Sequence, residues 1–354
     1  MDFSYKFPVV RGRQAHKEYY IAMVPLKMLS RLFPAENEYV PPEYRAQRKI
    51  NESRIPVIRQ YILDNRDSYV FSALSASIDG EYIFTPTEKN SNLGILEISL
   101  DARFLINDGQ HRKAAILEAI NEDESLKDET ISIVFFEDNG LERSQQMFTD
   151  LNKHAIKTSN SIAELYDSRD SLAVVTRKVI SKIPFLNKYT DKEKDILGKY
   201  SSSLFTLNTF YNANKRIVRQ TMTYSEAEKF LTRYWTSVTN HILLWKELDR
   251  HEISKIDLRE KYIVTQSVII QVFGRLGNYF IEHPTVPFED LLCQLENIDW
   301  SRNAAIWQMR VIRANGRMIN NESAIILTCN VIKQALHISL DADEEKRENI
   351  LLEM

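Results

Sequence analysis

The chain has 354 residues, of which 44% are hydrophobic and 27% are charged. This balance predicts a folded protein with a buried core and excludes an intrinsically disordered chain. The formal net charge is −3, which excludes a uniformly basic nucleic-acid binder, so any DNA binding must come from local basic patches.

The sequence also indicates the cellular compartment of the protein. No apolar run approaches the roughly 20 residues of a membrane span, and the opening MDFSYKFPVV lacks the basic and apolar segments of a signal peptide. Two cysteines and seven scattered histidines show neither a metal-ligand spacing nor a disulfide framework. We therefore expect a cytoplasmic protein with no membrane segment and no metal site built from these residues.

Residues 1–165 alternate short strand-like and helix-like segments, a pattern typical of an α/β domain. The pattern predicts strands at FSYKFPVV (3–10), YYIAMVP (19–25), GILEISL (94–100), RFLIND (103–108) and TISIVFFED (130–138). It predicts helices at RIPVIRQYILDN (54–65), QHRKAAILEAINED (110–123) and LERSQQMFTDLNKH (141–154). The segments SYVFSALSASIDG and EYIFTPT, joined at Asp79–Gly80, are predicted to form a β-hairpin.

Residues 166–354 have few strand signals and are predicted to form an all-helical domain, so the fold class is α+β. One long amphipathic helix is expected over residues 224–248, opened by a capping box of Ser225 and Glu228. Further helices are expected over 264–282, 287–298 and 321–338, the last two holding Cys293 and Cys329 in buried positions. The acidic segments 121–130 and 341–349 are interpreted as solvated surface.

The segment FLINDGQHRKAAI (104–116) places a glycine, a histidine and an arginine where a strand passes into a helix. A helix N-terminus exposes free backbone N–H groups, and Gly109 allows an anion to approach them. Arg112 offers a fork of donors suited to phosphate oxygens, and His111 can donate a hydrogen bond or carry a proton. Asp108 is a candidate helix cap or a ligand for a phosphate-bound metal. The turn is therefore a candidate phosphate or nucleotide site.

A structural explanation of the same turn stands beside this one. Asp-Gly before a helix is also a common combination of cap and turn, and Arg112 can simply pair with an acidic residue. On local chemistry alone the two interpretations are balanced.

The string NDGQHRKAAI resembles the signature of the DGQHR-domain proteins, which belong to the ParB/sulfiredoxin-like superfamily. In that superfamily the corresponding turn engages nucleotide phosphates, which implies a ParB/sulfiredoxin-like N-terminal domain. The resemblance to the sulfiredoxin form holds at Gly109, His111 and Arg112, but Gln110 stands where the catalytic cysteine would be. Sulfinic acid reduction is therefore not expected, whereas phosphate or nucleotide binding is.

Within the DGQHR proteins the chain resembles the DndB-type family of bacterial DNA phosphorothioation systems. The resemblance includes residues 47–62, 104–116, 146–170 and 298–318. It implies an accessory protein that binds promoter DNA and represses the modification operon. That a bound nucleotide gates this DNA binding is a further hypothesis. The implied partners are double-stranded promoter DNA and other phosphorothioation proteins, with self-association left open. The candidate cofactor is ATP or another nucleoside triphosphate with Mg, and the alternative is that the protein has no cofactor.

Several polar residues join the turn as candidates for the nucleotide pocket. Asn152, with Lys153, His154 and Lys157, ends a predicted helix and can face Arg112 across the pocket. Arg54, with Arg45 and Arg48, enters the helix at 54–65, where an arginine-rich start is unfavourable unless an anion lies nearby. Polar helix ends without a ligand are an equally ordinary explanation.

Two basic stretches are candidate DNA contacts, because clustered cations neutralise backbone phosphates. The first contains Lys215, Arg216 and Arg219 next to Tyr211. The second contains Arg302, Arg310, Arg313 and Arg317, with Arg310 and Arg313 predicted to share a helix face. A solvated or acid-paired surface is the alternative, and Trp300 and Trp307 of the second stretch are predicted to be core residues.

Three functions from different classes fit these patterns. The leading one is the DNA-binding repressor. The second is an enzyme, either a nucleoside triphosphatase or a DNA-nicking protein, which uses the Gly-Gln-His-Arg pocket with Asp108, His111 and Glu52 as candidate catalytic residues. The third is a scaffold that binds modification enzymes through the helical half.

Overall fold

The structure is a computed structural model, which describes residues 3–34, 50–137, 146–147, 149–151 and 158–352. The chain divides into two compact units, residues 1–156 and 157–354. The first unit contains a mixed β-sheet and the second consists mainly of helices, so the chain is an α+β protein as predicted.

One mixed sheet organises the first unit. Its strands are β1 (Ser4–Gln14), β2 (Lys17–Pro25), β3 (Leu74–Asp79), β4 (Tyr82–Pro86), β5 (Leu93–Ser99), β6 (Arg103–Asp108) and β7 (Thr130–Glu137). The order in the sheet is β4-β5-β1-β2-β7-β3-β6. Neighbouring strands pair antiparallel except β3 and β7, which run parallel.

The predicted hairpin between β3 and β4 is wrong. Both segments are strands, but β3 pairs with β6 and β7, whereas β4 pairs with β5 in the register Tyr82↔Ile98. The turn itself is present, since Gly80 has a φ of 142°. A strand-turn-strand sequence specifies the turn, and the packing of side chains from distant strands decides the partners.

The sheet is strongly curved, because short connecting segments join strands that are far apart in the strand order of the sheet. Residues 80–81 alone connect β3 to β4, and residues 100–102 connect β5 to β6. Across the enclosed side, the rings of Tyr5 on β1 and Phe104 on β6 lie 6.1 Å apart, and Phe104 also packs on Phe135 at 5.8 Å. The curled sheet thus encloses an aromatic core.

Three helices and three short 3-10 segments with defined bounds accompany the sheet in the described part of the first unit. They are a 3-10 turn at Leu26–Met28, α1 (Leu29–Leu32), a 3-10 turn at Glu52–Arg54, α2 (Ile55–Asp64) and α3 (Gln110–Glu122), with a further 3-10 segment at Glu124–Asp128. Helices α2 and α3 match their predicted positions, and α3 buries Ala115, Ile116 and Ala119 against the sheet. Most of the helix predicted at 141–154 lies outside the described residues.

The second unit is built from helices around one large core. They are α4 (Asn160–Tyr166), α5 (Ser171–Lys182), α6 (Pro184–Tyr189), α7 (Leu207–Ile217), α8 (Tyr224–His241), α9 (Leu243–Asp249), α10 (Lys255–Lys261), α11 (Ser267–Glu282), α12 (Phe288–Leu292), α13 (Glu322–Ala335) and α14 (Ala342–Leu352). Short 3-10 segments lie at Cys293–Asn297 and Ala305–Trp307. A small parallel pair, β8 (Thr190–Asp191) and β9 (Phe205–Thr206), departs from the expected all-helical composition. Trp300 and Trp307 are buried in the core, as predicted.

The long helix predicted over residues 224–248 is two helices. The chain breaks at Ile242, whose φ and ψ are −93° and 95°, and α9 then starts in a new direction. The capping box lies two residues earlier than predicted, because Thr223 caps the helix and Glu226 reaches back to the Thr223 backbone N–H at 2.8 Å. Both spacings fit the capping-box pattern, and the actual start of the helix selects between them.

The acidic tail is only partly solvated surface. Glu344 and Glu348 of α14 are buried, and Glu344 pairs with Lys333 at 2.7 Å. The expectation that both cysteines are buried holds for Cys329, where burial raises the pKa of the thiol to about 12. Cys293 is half-buried. Among the described helices, none combines the length and the hydrophobicity that a membrane span requires.

Candidate functional site

The Gly-Gln-His-Arg turn links β6 to α3, where the sequence placed it. Gly109 is the N-cap of α3 with a φ of 103°, a conformation that residues with a Cβ rarely adopt. A Cβ on Gly109 would lie 2.3 Å from Cδ2 of Leu74. Gly109 and Gln110 are buried. The close packing on Leu74 therefore explains why this position requires glycine, and the sequence alone did not show this contact.

The Arg112 guanidinium is occupied by hydrogen bonds within the protein, to Asp108, Ser72 and Ala73. Its Nη2 donates to Oδ2 of Asp108 at 2.7 Å, and its Nη1 donates to the backbone carbonyls of Ser72 at 2.5 Å and Ala73 at 3.0 Å. Only 16% of the Arg112 side chain is exposed. Arg112 thus ties the segment before β3 to the start of α3. Asp108 pairs with Arg112. The N-cap of α3 is Gly109, which has no side chain that could cap the helix.

His111 joins a second segment to the same helix start. Its Nε2 accepts a hydrogen bond from the backbone N–H of Asn51 at 3.0 Å. Accepting at Nε2 requires the neutral tautomer with the proton on Nδ1. The contact brings the 3-10 turn Glu52–Arg54 close to α3. Of the candidate catalytic residues, Glu52 therefore lies in the turn that adjoins His111, whereas Asp108 is held by Arg112 at the end of β6.

The start of α3 is electrostatically suited to an anion. Gly109 provides no side-chain cap, and the first turn contains no acidic residue. The positive end of the helix dipole is therefore not neutralised within the helix. Arg54 is exposed and makes no ion pair or side-chain hydrogen bond among the described residues.

Several candidates cannot be placed. Asn152, Lys153, His154, Lys157, Arg45 and Arg48 lie outside the described residues. Three residues that shape the turn escaped sequence reasoning, namely Asn51, Ser72 and Leu74. Ser72 and Leu74 lie 40 and 35 positions before their partners, and Asn51 lies 60 positions before His111, so no local pattern connects them. Within the described part, no three His, Cys, Asp or Glu side chains group as metal ligands.

The second basic stretch differs from the predicted helix. Residues 308–313 are not helical, so Arg310 and Arg313 do not share a helix face. The Nη1 atom of Arg310 donates to Oε2 of Glu348 at 2.5 Å, and both side chains are largely buried. Arg302 is half-buried and donates to the backbone carbonyl of Arg259 at 3.3 Å. These two arginines have structural partners that the sequence could not show.

Arg313 and Arg317 instead form a pair at an exposed turn. The backbone N–H of Arg313 donates to the carbonyl of Arg317 at 2.9 Å, and Gly316, with a φ of 76°, closes the turn. Residues 313–317 are all exposed. Neither guanidinium makes an ion pair with another described residue. Two adjacent, unneutralised arginines suit the phosphates of a nucleic-acid backbone.

In the first basic cluster, two of the three cationic side chains form ion pairs with acidic residues. Arg216 forms a bidentate ion pair with Glu322 at 2.9 and 2.8 Å, and Arg219 pairs with Glu282 at 3.2 Å. Lys215 is exposed and has no ion pair or hydrogen bond with another described residue. Tyr211 donates to Asp170 at 2.6 Å and so belongs to the protein's own network.

The comparisons with known proteins agree with a DNA-modification protein. A model of the DndB family, described as DNA-sulfur modification-associated, matches residues 7–339. The chain therefore belongs to the DndB family, and it has a role in a DNA phosphorothioation system. A search of curated proteins found no match, and a search of solved structures found none. The expected ParB-like kinship of the sheet domain stays a prediction.

Proposed function

We propose that this protein is a DNA-binding repressor of the phosphorothioation operon. The family membership supplies the biological setting. The exposed turn with Arg313 and Arg317 is the observation that carries the DNA-binding role, because it presents two arginines without a described acidic partner. In a chain with a net charge of −3, such a turn concentrates positive potential locally.

The proposed contact is to the DNA backbone. Guanidinium groups bind phosphate oxygens in a bidentate manner and position a protein on the duplex without reading the sequence. Promoter preference then requires additional contacts to bases or to DNA shape. Lys215 is a second candidate phosphate contact on the same physical grounds.

Nucleotide gating is the second part of the proposal. We place the nucleotide at the start of α3, beside the turn Glu52–Arg54. The uncapped helix start and the exposed Arg54 support this position. Because Gly109 is buried and Arg112 already donates to Asp108, we expect the phosphates to bind at the exposed side of the turn and not against the glycine.

The experiment is a gel-shift titration of the purified protein with a promoter duplex and with a scrambled duplex of equal length, each with and without ATP and Mg²⁺. The proposal expects tighter binding to the promoter and a shift in affinity on addition of nucleotide. Equal affinity for both duplexes would contradict the repressor role, and an unchanged affinity with ATP would contradict the gate. Product analysis of the same samples would detect hydrolysis or nicking, which the enzyme alternative requires.

A further inference from the structure

An open cavity of about 560 Å³, lined largely by polar residues, lies at the surface of the helical unit. This volume falls in the range of small-molecule sites, roughly 300–1,000 Å³. Helix α7 runs along one wall with Asn208, Asn212 and Lys215, which recur at helical spacing. Ser267 and Asn320 line the opposite part.

Two helices of the unit begin at this cavity. Ser267 is the first residue of α11, and Asn321 is the N-cap of α13. The two starts differ, because the Asn321 side chain accepts from Ala324 N at 2.9 Å, whereas Gln266, the N-cap of α11, makes no side-chain cap hydrogen bond. In the sixteen-residue helix α11 the N–H groups of Ile269 and Ile270 donate to the Gln266 carbonyl. The start of α11 therefore offers the cavity the N–H groups of Ser267 and Val268 and the positive end of the helix dipole, without a side-chain cap.

The acidic residues of the cavity are already engaged. Glu322 is held by both terminal nitrogens of Arg216. Asp195 accepts from the backbone N–H groups of Asn160 and Ser161 at 2.8 Å each. Lys215 is the cavity lysine, and it makes no ion pair with any residue that the structure describes. The charges that a ligand meets are thus the cation of Lys215, the positive end of α11 and the carboxylate of Asp195, which neutral N–H groups hold in place.

The cavity wall is held in place before any ligand arrives. The Nε atom of Arg216 donates to Oε1 of Gln271 at 3.0 Å, and Nε2 of Gln271 donates to the carbonyl of Thr209 at 3.0 Å. This chain of contacts fixes α7 against α11. A preorganised polar wall lowers the entropic cost of binding.

We propose that this cavity binds a single phosphate group carried by a polar body, with a nucleoside monophosphate as the fitting class of ligand. Lys215 and the N-terminus of α11 hold the phosphate. The Asn212 amide nitrogen donates to Asn208, so Asn212 offers its oxygen as an acceptor, while the carboxamide of Asn320 offers a neutral donor and acceptor for the sugar or the base. One lysine and one helix start suit one phosphate better than the three of a nucleoside triphosphate. The proposal does not depend on the DNA-binding role of Arg313 and Arg317.

Calorimetric titration with three probes tests the proposal: adenosine monophosphate, inorganic phosphate and adenosine. The variant is Lys215→Met, which removes the charge and keeps an unbranched side chain. The matched control is Arg219→Met, which removes a charge two residues after α7, from a residue that pairs with Glu282 and does not line the cavity. We expect Lys215→Met to weaken monophosphate binding roughly tenfold or more, as for other charged hydrogen bonds, and Arg219→Met to leave it unchanged.

A short DNA duplex as a fourth probe separates the two sources of a phosphate. If Lys215→Met weakens only duplex binding, Lys215 contacts a DNA backbone phosphate, and the proposal of a monophosphate site is overturned. Adenosine binding as tightly as adenosine monophosphate would overturn the proposal, as would monophosphate and duplex affinities that are both insensitive to Lys215→Met. If substitutions of Arg313 and Arg317 abolish DNA binding but not monophosphate binding, the cavity proposal still holds. A failure of the proposed DNA-binding function can therefore be distinguished from a failure of the cavity proposal.

Discussion

The carboxylate of Asp108 and the guanidinium of Arg112 lie 2.7 Å apart across the turn between β6 and α3. The same guanidinium holds the carbonyls of Ser72 and Ala73. The arginine that the sequence offers as a phosphate ligand therefore has an architectural role. Any ligand at this turn binds to a site that Arg112 shapes.

Replacing Arg112 with alanine should destabilise the first unit. The substitution leaves the Ser72 and Ala73 carbonyls without their charged donor, and hydrogen bonds to charged groups contribute roughly 1.5–3 kcal/mol each. We expect the free energy of unfolding to fall by roughly 2 kcal/mol or more, measured by urea denaturation. Sequence reasoning alone predicts that the fold stays intact.

The variant Asp108→Asn is the matched control. It removes the ion pair but keeps the carbonyl contacts of Arg112. Because 45% of the Asp108 side chain is exposed, the loss should stay below about 1 kcal/mol. Equal losses in Asp108→Asn and Arg112→Ala would show that the carbonyl contacts contribute nothing.

The variants Gly109→Ala and Gly316→Ala separate backbone strain from packing. Both glycines have positive φ, but a Cβ on Gly109 meets Leu74, whereas a Cβ on Gly316 meets nothing within 4 Å. Gly316→Ala should cost only the conformational penalty of about 1–2 kcal/mol. Gly109→Ala should cost clearly more by thermal or urea unfolding. Similar costs at both positions would contradict the close packing on Leu74.

The sequence predicts the strands of the first unit well, because several of them alternate residues that face solvent with residues that face the core. Strand β7, for example, buries Ile131, Ile133 and Phe135 in alternation. Partner choice is not encoded locally, and the β3–β4 hairpin is therefore wrong. Periodicity also cannot locate the break at Ile242, since residues on both sides of it are helical.

Charged residues mislead in the same way. An arginine-rich stretch predicts a cationic surface, but Glu348 neutralises Arg310 from 38 positions away. An acidic tail predicts solvated surface, but α14 turns two of its carboxylates inward. Only tertiary structure shows which charges remain free, and this is why Arg317, rather than Arg310, is the partner of Arg313.

The buried pair Lys333–Glu344 should show strong coupling. Glu344 is 1% exposed and Lys333 is 6% exposed. Lys333→Met leaves the buried Glu344 carboxylate with Arg275, at 3.0 Å, as its other cationic partner among the described residues, so the loss should be roughly 1.5–3 kcal/mol. The double variant Lys333→Met/Glu344→Leu should cost less than the sum of the single variants. A double-mutant cycle with strictly additive losses would contradict this pairing.

Glu164 should make stability depend on pH. Desolvation, followed by the charges of Asp195 and Asp170, raises the pKa of Glu164 from 4.5 to about 7. Between these values the folded state binds more protons than the unfolded state, so the free energy of unfolding should fall as pH rises through this window.

The neutral variant Glu164→Gln should flatten that dependence and raise stability at pH 8 by about 1 kcal/mol, after allowance for the partial exposure of the side chain. Glu345→Gln, at an exposed position of α14, serves as the control. Urea denaturation between pH 4 and pH 8 measures both, and a slope unchanged in Glu164→Gln would rule out the assignment.

The central claim is that the turn with Arg313 and Arg317 contacts the DNA backbone, and the salt dependence of duplex binding tests it most directly. Gel shifts of the wild type and of Arg313→Glu/Arg317→Glu over a series of salt concentrations give the slope of log affinity against log salt. The loss of two phosphate contacts should reduce this slope by roughly two and weaken promoter and scrambled duplexes alike. A double variant that keeps both the wild-type affinity and the wild-type slope would contradict the account.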